Sequence, residues 1–133
     1  MSRTETKQPL NAIQQLADYL HASQMIPPRS LFTPLNHQVP PVQDWQIWAL
    51  IAGRGAGKTR AGGEYVLRHL ERYGANARVG VGAPTASDAR DVCAEGDSGL
   101  MTIAANQFTK YNRSLLEARH YLGGHVKFLS AEQ

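Results

Sequence analysis

The chain has 133 residues, enough for one domain or a piece of a larger one, and its 42% hydrophobic and 19% charged residues exclude a disordered chain. A net charge of +3 permits a nucleic-acid partner without arguing for one. The lone Cys93 excludes an internal disulfide framework, no apolar run is long enough to cross a bilayer, and Met1–Lys7 lacks the apolar core of a signal peptide, so the expected compartment is the cytoplasm.

In chain order, residues 9–24 predict a short amphipathic helix, because Leu10, Ile13, Leu16, Ala17 and Leu20 recur at three- and four-residue spacing. It defines an N-terminal unit over residues 1–26. A connector over 27–44 follows, holding Pro27, Pro28, Pro34, Pro40 and Pro41. Each proline fixes φ and removes a backbone donor, which predicts extended chain. The main unit is expected over 45–133. It opens on Gln46-Ile47-Trp48-Ala49-Leu50-Ile51, whose near-continuous apolar character predicts a strand buried on both faces over 46–52.

Next comes Ala52-Gly53-Arg54-Gly55-Ala56-Gly57-Lys58-Thr59, a phosphate-binding loop of the [Ala/Gly]-x4-Gly-Lys-[Ser/Thr] type. Its glycines let the backbone curl so that successive N–H groups face phosphate oxygens. Lys58 is placed to reach the β- and γ-phosphates of a nucleotide, and the Thr59 hydroxyl to hold Mg²⁺. A helix over 58–73, closed by Gly74, would present its positive dipole end to the phosphates. Gly62 and Gly63 cost this helix about 1 kcal/mol each relative to alanine, which fits a turn lying close against a sheet. Glu64 and Arg68 are expected as an i, i+4 pair on its exposed face.

A second strand is expected over 77–83. Strand 46–52, helix 58–73 and strand 77–83 then form a βαβ unit with a parallel pair and a right-handed crossover. Thr85 or Ser87 can cap a helix over 86–95. Asp88, Asp91, Glu95 and Asp97 read as a solvated acidic face in preference to a metal site. Charge is uneven: residues 53–73 carry Arg54, Lys58, Arg60, Arg68 and Arg72 against Glu64 and Glu71, whereas residues 84–100 carry Arg90 against those four acids. Leu100 to Ala105 reads as a short helix or loop. Ser114–Tyr121 and His125–Ser130 flank Leu122-Gly123-Gly124 and predict a C-terminal β-hairpin, with Val126 and Phe128 on one face and Lys127 on the other. His120 and His125 have no acidic or cysteine partner in the pattern, so exposed hairpin histidines explain them better than zinc. Cys93 reads as a small apolar residue and not as a nucleophile.

The wording around the loop is more specific than the motif. Asp44-Trp45-Gln46-Ile47-Trp48 leading into Gly53–Gly62, then Ala83–Val92, Glu95–Leu100, Gly123-Gly124 and Phe128–Glu132, resembles the large subunit of tailed-bacteriophage terminases. The resemblance covers roughly residues 36–133, and Arg54 inside the loop is its most distinctive detail. It implies an α/β fold of the P-loop NTPase (ASCE) type, three-layered around a mainly parallel sheet, incomplete here, with the C-terminal hairpin. It further implies an ATPase that uses ATP and Mg²⁺ to drive double-stranded viral DNA into a procapsid. The partners it implies are the portal protein and the small terminase subunit, with homo-oligomeric assembly in the whole motor.

Carried over by position, Gly53, Gly55, Ala56, Gly57, Lys58 and Thr59 bind ATP, and Arg54 resembles a loop arginine that senses the γ-phosphate. A guanidinium there offers paired donors to phosphate. Gln38 resembles a glutamine that reads the adenine edge, for which an amide both donates and accepts, with Gln43 as its rival. The chain departs from the family in having no apolar run ending in Asp-Glu, so a Walker B acid and a carboxylate base for water are not found. The expectation is therefore the N-terminal, nucleotide-binding portion of a packaging ATPase, without the nuclease part and without turnover of its own. Two alternatives stay open: a non-catalytic nucleotide-binding or interaction protein complete at this length, and another P-loop ATPase such as a helicase.

Overall fold

Sixteen residues, Lys58–Tyr73, form helix α1, which sets the frame for everything around it. Every third or fourth residue on one side is buried: Ala61, Glu64, Leu67 and Leu70. Gly74 closes the helix, its N–H donating to Leu70 O. The structure, a computed structural model, describes residues 31–132. The helix expected over 9–24 and the start of the proline-rich connector lie outside the described residues.

After α1 the chain forms β1 (Arg78–Ala83) and a short helix α2 (Ala86–Asp88) that widens into a π-helical segment, Ala89–Ala94. Of the two expected caps, Thr85 and Ser87, it is Thr85 that caps α2, its hydroxyl oxygen accepting from Asp88 N–H at 3.0 Å. Helix α3 is the single turn Leu100–Ile103. Strands β2 (Phe108–Asn112), β3 (Glu117–His120) and β4 (His125–Ser130) complete a four-stranded sheet of order β1-β4-β3-β2. β4 runs antiparallel to β3 through the expected hairpin and parallel to β1, with Val79 opposite Val126 and Val81 opposite Phe128. The molecule is thus a mixed α/β domain. Its sheet is mixed where a mainly parallel one was expected, since β2–β3 and β3–β4 are antiparallel and β1–β4 is parallel.

The core lies between α1 and the sheet, where Leu67, Leu70, Leu100, Val126 and Phe128 are almost fully buried. Val126 and Phe128 alternate with the half-exposed Lys127, as period-2 patterning requires.

Four expectations are corrected. Residues 46–52 do not form a strand, and Ile47 and Ile51 are 87% and 94% exposed. Local tethers hold this stretch beside the helix instead of in a ladder: Trp45 and Trp48 lie against Tyr65 of α1, and the Lys58 ammonium holds the carbonyls of Ala52 and Gly53. An apolar run shows that a strand would be buried once paired, but not which edge would pair with it. The parallel partner of β1 is consequently β4, and the expected βαβ unit is not formed. Glu64 sits on the buried face of α1, 4% exposed, and pairs with Arg60 at 2.9 Å, not with Arg68. His120 is also buried, because β3 turns Ala118 and His120 inward together; its ring packs edge-on against Phe108.

Candidate phosphate site

The loop between residues 52 and 58 has the backbone its glycines promise. Gly55 and Gly57 have φ of 81° and 74°, flanking Ala56, and Ala56 N–H reaches back to Gly53 O at 3.4 Å. Positive φ at both positions curls the chain tightly, a geometry that L side chains resist. Gly57 is the N-cap of α1, its carbonyl accepting from Ala61 N–H at 2.9 Å. The N–H groups of the first helical turn lack intrahelical partners by construction, and with the dipole they favour an anion.

Lys58 projects from that first turn, and its ammonium donates to Ala52 O at 2.8 Å and to Gly53 O at 2.7 Å. One cation thereby closes the loop on its own entry. Arg54 occupies the loop's turn and is exposed, as is Thr59. Gln38 ends a single 3₁₀ turn, Asn36–Gln38, and is 9% exposed. Its Nε2 donates to Ala56 O at 3.0 Å and its Oε1 accepts from Leu35 N–H at 2.8 Å. The structure therefore brings Gln38, Lys58 and the glycines together. Gln43 is exposed elsewhere on the connector.

Three further groups hold or line the surroundings of the loop, and residue spacing gave little sign of them. Arg60 binds Glu64, donates to Leu31 O at 3.1 Å and lies 5.1 Å over the Phe32 ring, which ties the connector to α1. Trp45, Trp48 and Tyr65 form a three-ring cluster with centroids 5.6 to 6.2 Å apart. Asp91 and Asp97 line the same cleft as Thr59. The i, i+4 spacing of Arg60 and Glu64 was the one available signal for the first of these.

Behind the first turn of α1 is a cavity of about 300 Å³, lined by Gly62, Gly63, Val66, Val81, Cys93 and Leu100 and reaching Lys58 and Thr59. Gly63 lies so close to the α3 turn that an added Cβ would come within 3.1 Å of Ile103 Cδ1, whereas Gly62 has open space. Close packing thus accounts for Gly63 alone. Burial raises the Cys93 thiol above its ordinary pKa, with the Asp88 charge adding to the effect, so it is a poor nucleophile.

The acids of residues 88–97 have local uses. Asp88 accepts from the Thr85 hydroxyl at 2.8 Å, Asp91 pairs with Arg90 at 2.6 Å, and Glu95 accepts from Arg113 Nε and from Tyr111 OH, both at 2.8 Å. Those two donors hold the Glu95 carboxyl below its usual range, the Arg113 bond being the larger influence. Burial, and then the bond to Glu95, push the Tyr111 phenol up to about 12. No family model, curated protein or solved structure matches the chain.

The geometry of the loop suits a phosphate chain: inward-curling glycines, a helix N-terminus and a lysine at the loop mouth. Among the described residues no group of three or more His, Cys, Asp or Glu could hold a metal ion. A magnesium ion here would be held by phosphate oxygens, water and Thr59, the mode in which Mg²⁺ accompanies nucleotides.

Proposed function

We propose that the chain binds the phosphates of ATP with Mg²⁺, as the nucleotide-binding portion of a DNA-packaging ATPase of the terminase large-subunit type in a P-loop NTPase fold. The observation that carries the binding is the loop itself, with positive φ at Gly55 and Gly57 and Lys58 folded across its mouth at the head of a 16-residue helix. In this reading Lys58 leaves the carbonyls of Ala52 and Gly53 for phosphate oxygens, and the backbone N–H groups of 55–59 orient the chain of phosphates. Thr59 would supply a hydroxyl to the metal, and Arg54 would offer its fork to the terminal phosphate. Magnesium, when bound, would neutralise part of the phosphate charge.

The packaging role rests on the sequence resemblance alone. Double-stranded viral DNA, the portal protein, the small terminase subunit and oligomeric assembly belong to the same proposal. Hydrolysis is not assigned to these 133 residues, because none of their apolar runs ends in Asp-Glu. The test is ATP binding with Mg²⁺ by calorimetry on the purified chain and on Lys58→Ala. We expect binding that weakens at least about tenfold in the variant, a loss of about 1.4 kcal/mol. Equal binding by the two proteins would overturn the reading. ATP turnover that Lys58→Ala abolishes would overturn its non-hydrolytic part.

A further inference from the structure

Gln38 stands 18 positions before Ala56 of the phosphate loop, yet its amide is built into that loop. At one end the side chain closes a ring with its own turn: Gln38 N–H donates to Leu35 O and Leu35 N–H donates to Gln38 Oε1, both at 2.8 Å. At the other end Nε2 donates to Ala56 O at 3.0 Å. The α-carbon of Gly57 lies so close that a Cβ there would collide with Nε2. We propose that Gln38 is a positioning residue that sets the loop in its phosphate-accepting conformation.

The physical reason lies in the Ala56–Gly57 peptide. In a planar trans peptide the C=O and N–H point in opposite directions. Anchoring Ala56 O on Gln38 turns the Gly57 N–H away from Gln38, to the side on which the loop cradles an anion. The task needs an acceptor and a donor on one short planar head, which an amide provides and a carboxylate does not. Glutamate at this position would still accept from Leu35 N–H but would set an anion against the Ala56 carbonyl. Glycine at 57 is needed twice over, for its φ of +74° and for the room that Nε2 occupies.

The proposal rests on the phosphate-site reading and departs from adenine recognition as the role of Gln38. The two are separated by a ligand without a base. Binding of ATP and of inorganic tripolyphosphate, each with Mg²⁺, is measured on the wild-type chain, Gln38→Ala and Gln38→Glu. Loss of the bond to Ala56 predicts a 2- to 10-fold weakening in Gln38→Ala, the same for both ligands, and a loss at least as large in Gln38→Glu, which adds a negative charge beside the loop. A loss confined to ATP would make Gln38 a base reader and overturn the proposal, as would unchanged binding of both.

Amide hydrogen exchange on the ligand-free chain tests the brace without any nucleotide. Leu35 N–H should exchange faster in Gln38→Ala and stay protected in Gln38→Glu. Equal Leu35 exchange in wild type and Gln38→Ala would overturn the brace by itself. If the wild type bound neither ATP nor tripolyphosphate, the phosphate-site reading would fall while the exchange result still decided the brace.

Discussion

Two regions of this molecule are held in different ways. The sheet and the inner face of α1 are fixed by burial, with Phe128, Leu67, Leu70 and Val126 at 0 to 2% exposure. The loop region from Leu31 to Lys58 is fixed by a few local contacts: Gln38 on Ala56, Lys58 on Ala52 and Gly53, Arg60 on Leu31, and the rings of Trp45 and Trp48 on Tyr65. Burial is non-directional and strong in sum, whereas each net hydrogen bond contributes only about 0.5–1.5 kcal/mol. The sheet can thus stay intact while the loop exchanges internal bonds for bonds to a ligand. If the loop binds as proposed, stability and binding reside in separate halves, and substitutions should separate them.

The largest expected effect breaks the buried half. Phe128→Ala leaves a cavity at the centre of the core and should cost about 3–5 kcal/mol, read as a fall in the urea midpoint. Gly124→Ala comes next. An added Cβ would meet Leu70 Cδ2 at 2.7 Å and the Gly74 carbonyl at 3.0 Å, and overpacking of this kind costs about 1–3 kcal/mol. A smaller loss, about 1 kcal/mol, is expected for Thr85→Ala, which removes the cap of α2 and is measurable by thermal melting. Lys58→Ala supplies the contrast: a midpoint within about 0.5 kcal/mol of wild type despite weakened ATP binding. A midpoint shift as large as that of Thr85→Ala would show that the loop is part of the fold's stability after all.

The smallest effect is acid sensitivity. Glu95 has its folded pKa depressed by Arg113 and Tyr111, and Glu117 has its own depressed mainly by Lys127. A depressed carboxyl contributes stability that is present above its unfolded pKa and disappears as pH falls through its folded pKa. The chain should therefore lose stability on acidification below the ordinary glutamate range. Glu95→Gln should flatten that loss in a series of melts across pH, and an unchanged slope would remove Glu95 from the account.

Much of this was legible in the residues. The loop motif, α1 to its last residue and its Gly74 stop, β1, the Thr85 cap and the β3–β4 hairpin all follow from local patterns with local causes. Pairing is where legibility ended. Nothing local says that residues 78–83 choose 125–130 as their parallel neighbour, or that 46–52 stays out of the sheet while its tryptophans lie on Tyr65. Strand β2 left little trace, because Phe108-Thr109-Lys110-Tyr111-Asn112 is half polar and carries a register irregularity against β3. Glu64 departs from the rule that a charge on a helix faces water, because its pairing with Arg60 allows the buried side. In the site, Lys58 and the glycines were legible as a motif. The Gln38 brace was not, since it depends on where an 18-residue excursion returns.

The parallel pairing of β1 with β4 also has a consequence in time. The two strands are joined in space but stand more than forty residues apart in the chain, so their ladder closes a long loop and forms late. The β3–β4 hairpin is local and forms on the order of microseconds. During synthesis at roughly 5–20 residues per second, β1 is complete several seconds before its partner exists. An edge exposed that long invites pairing with other chains. Gly80 and Gly82, which alternate with the valines of β1, weaken it as a free template while it waits. The strand is thus suited to be recruited by β4 in place of starting the sheet itself.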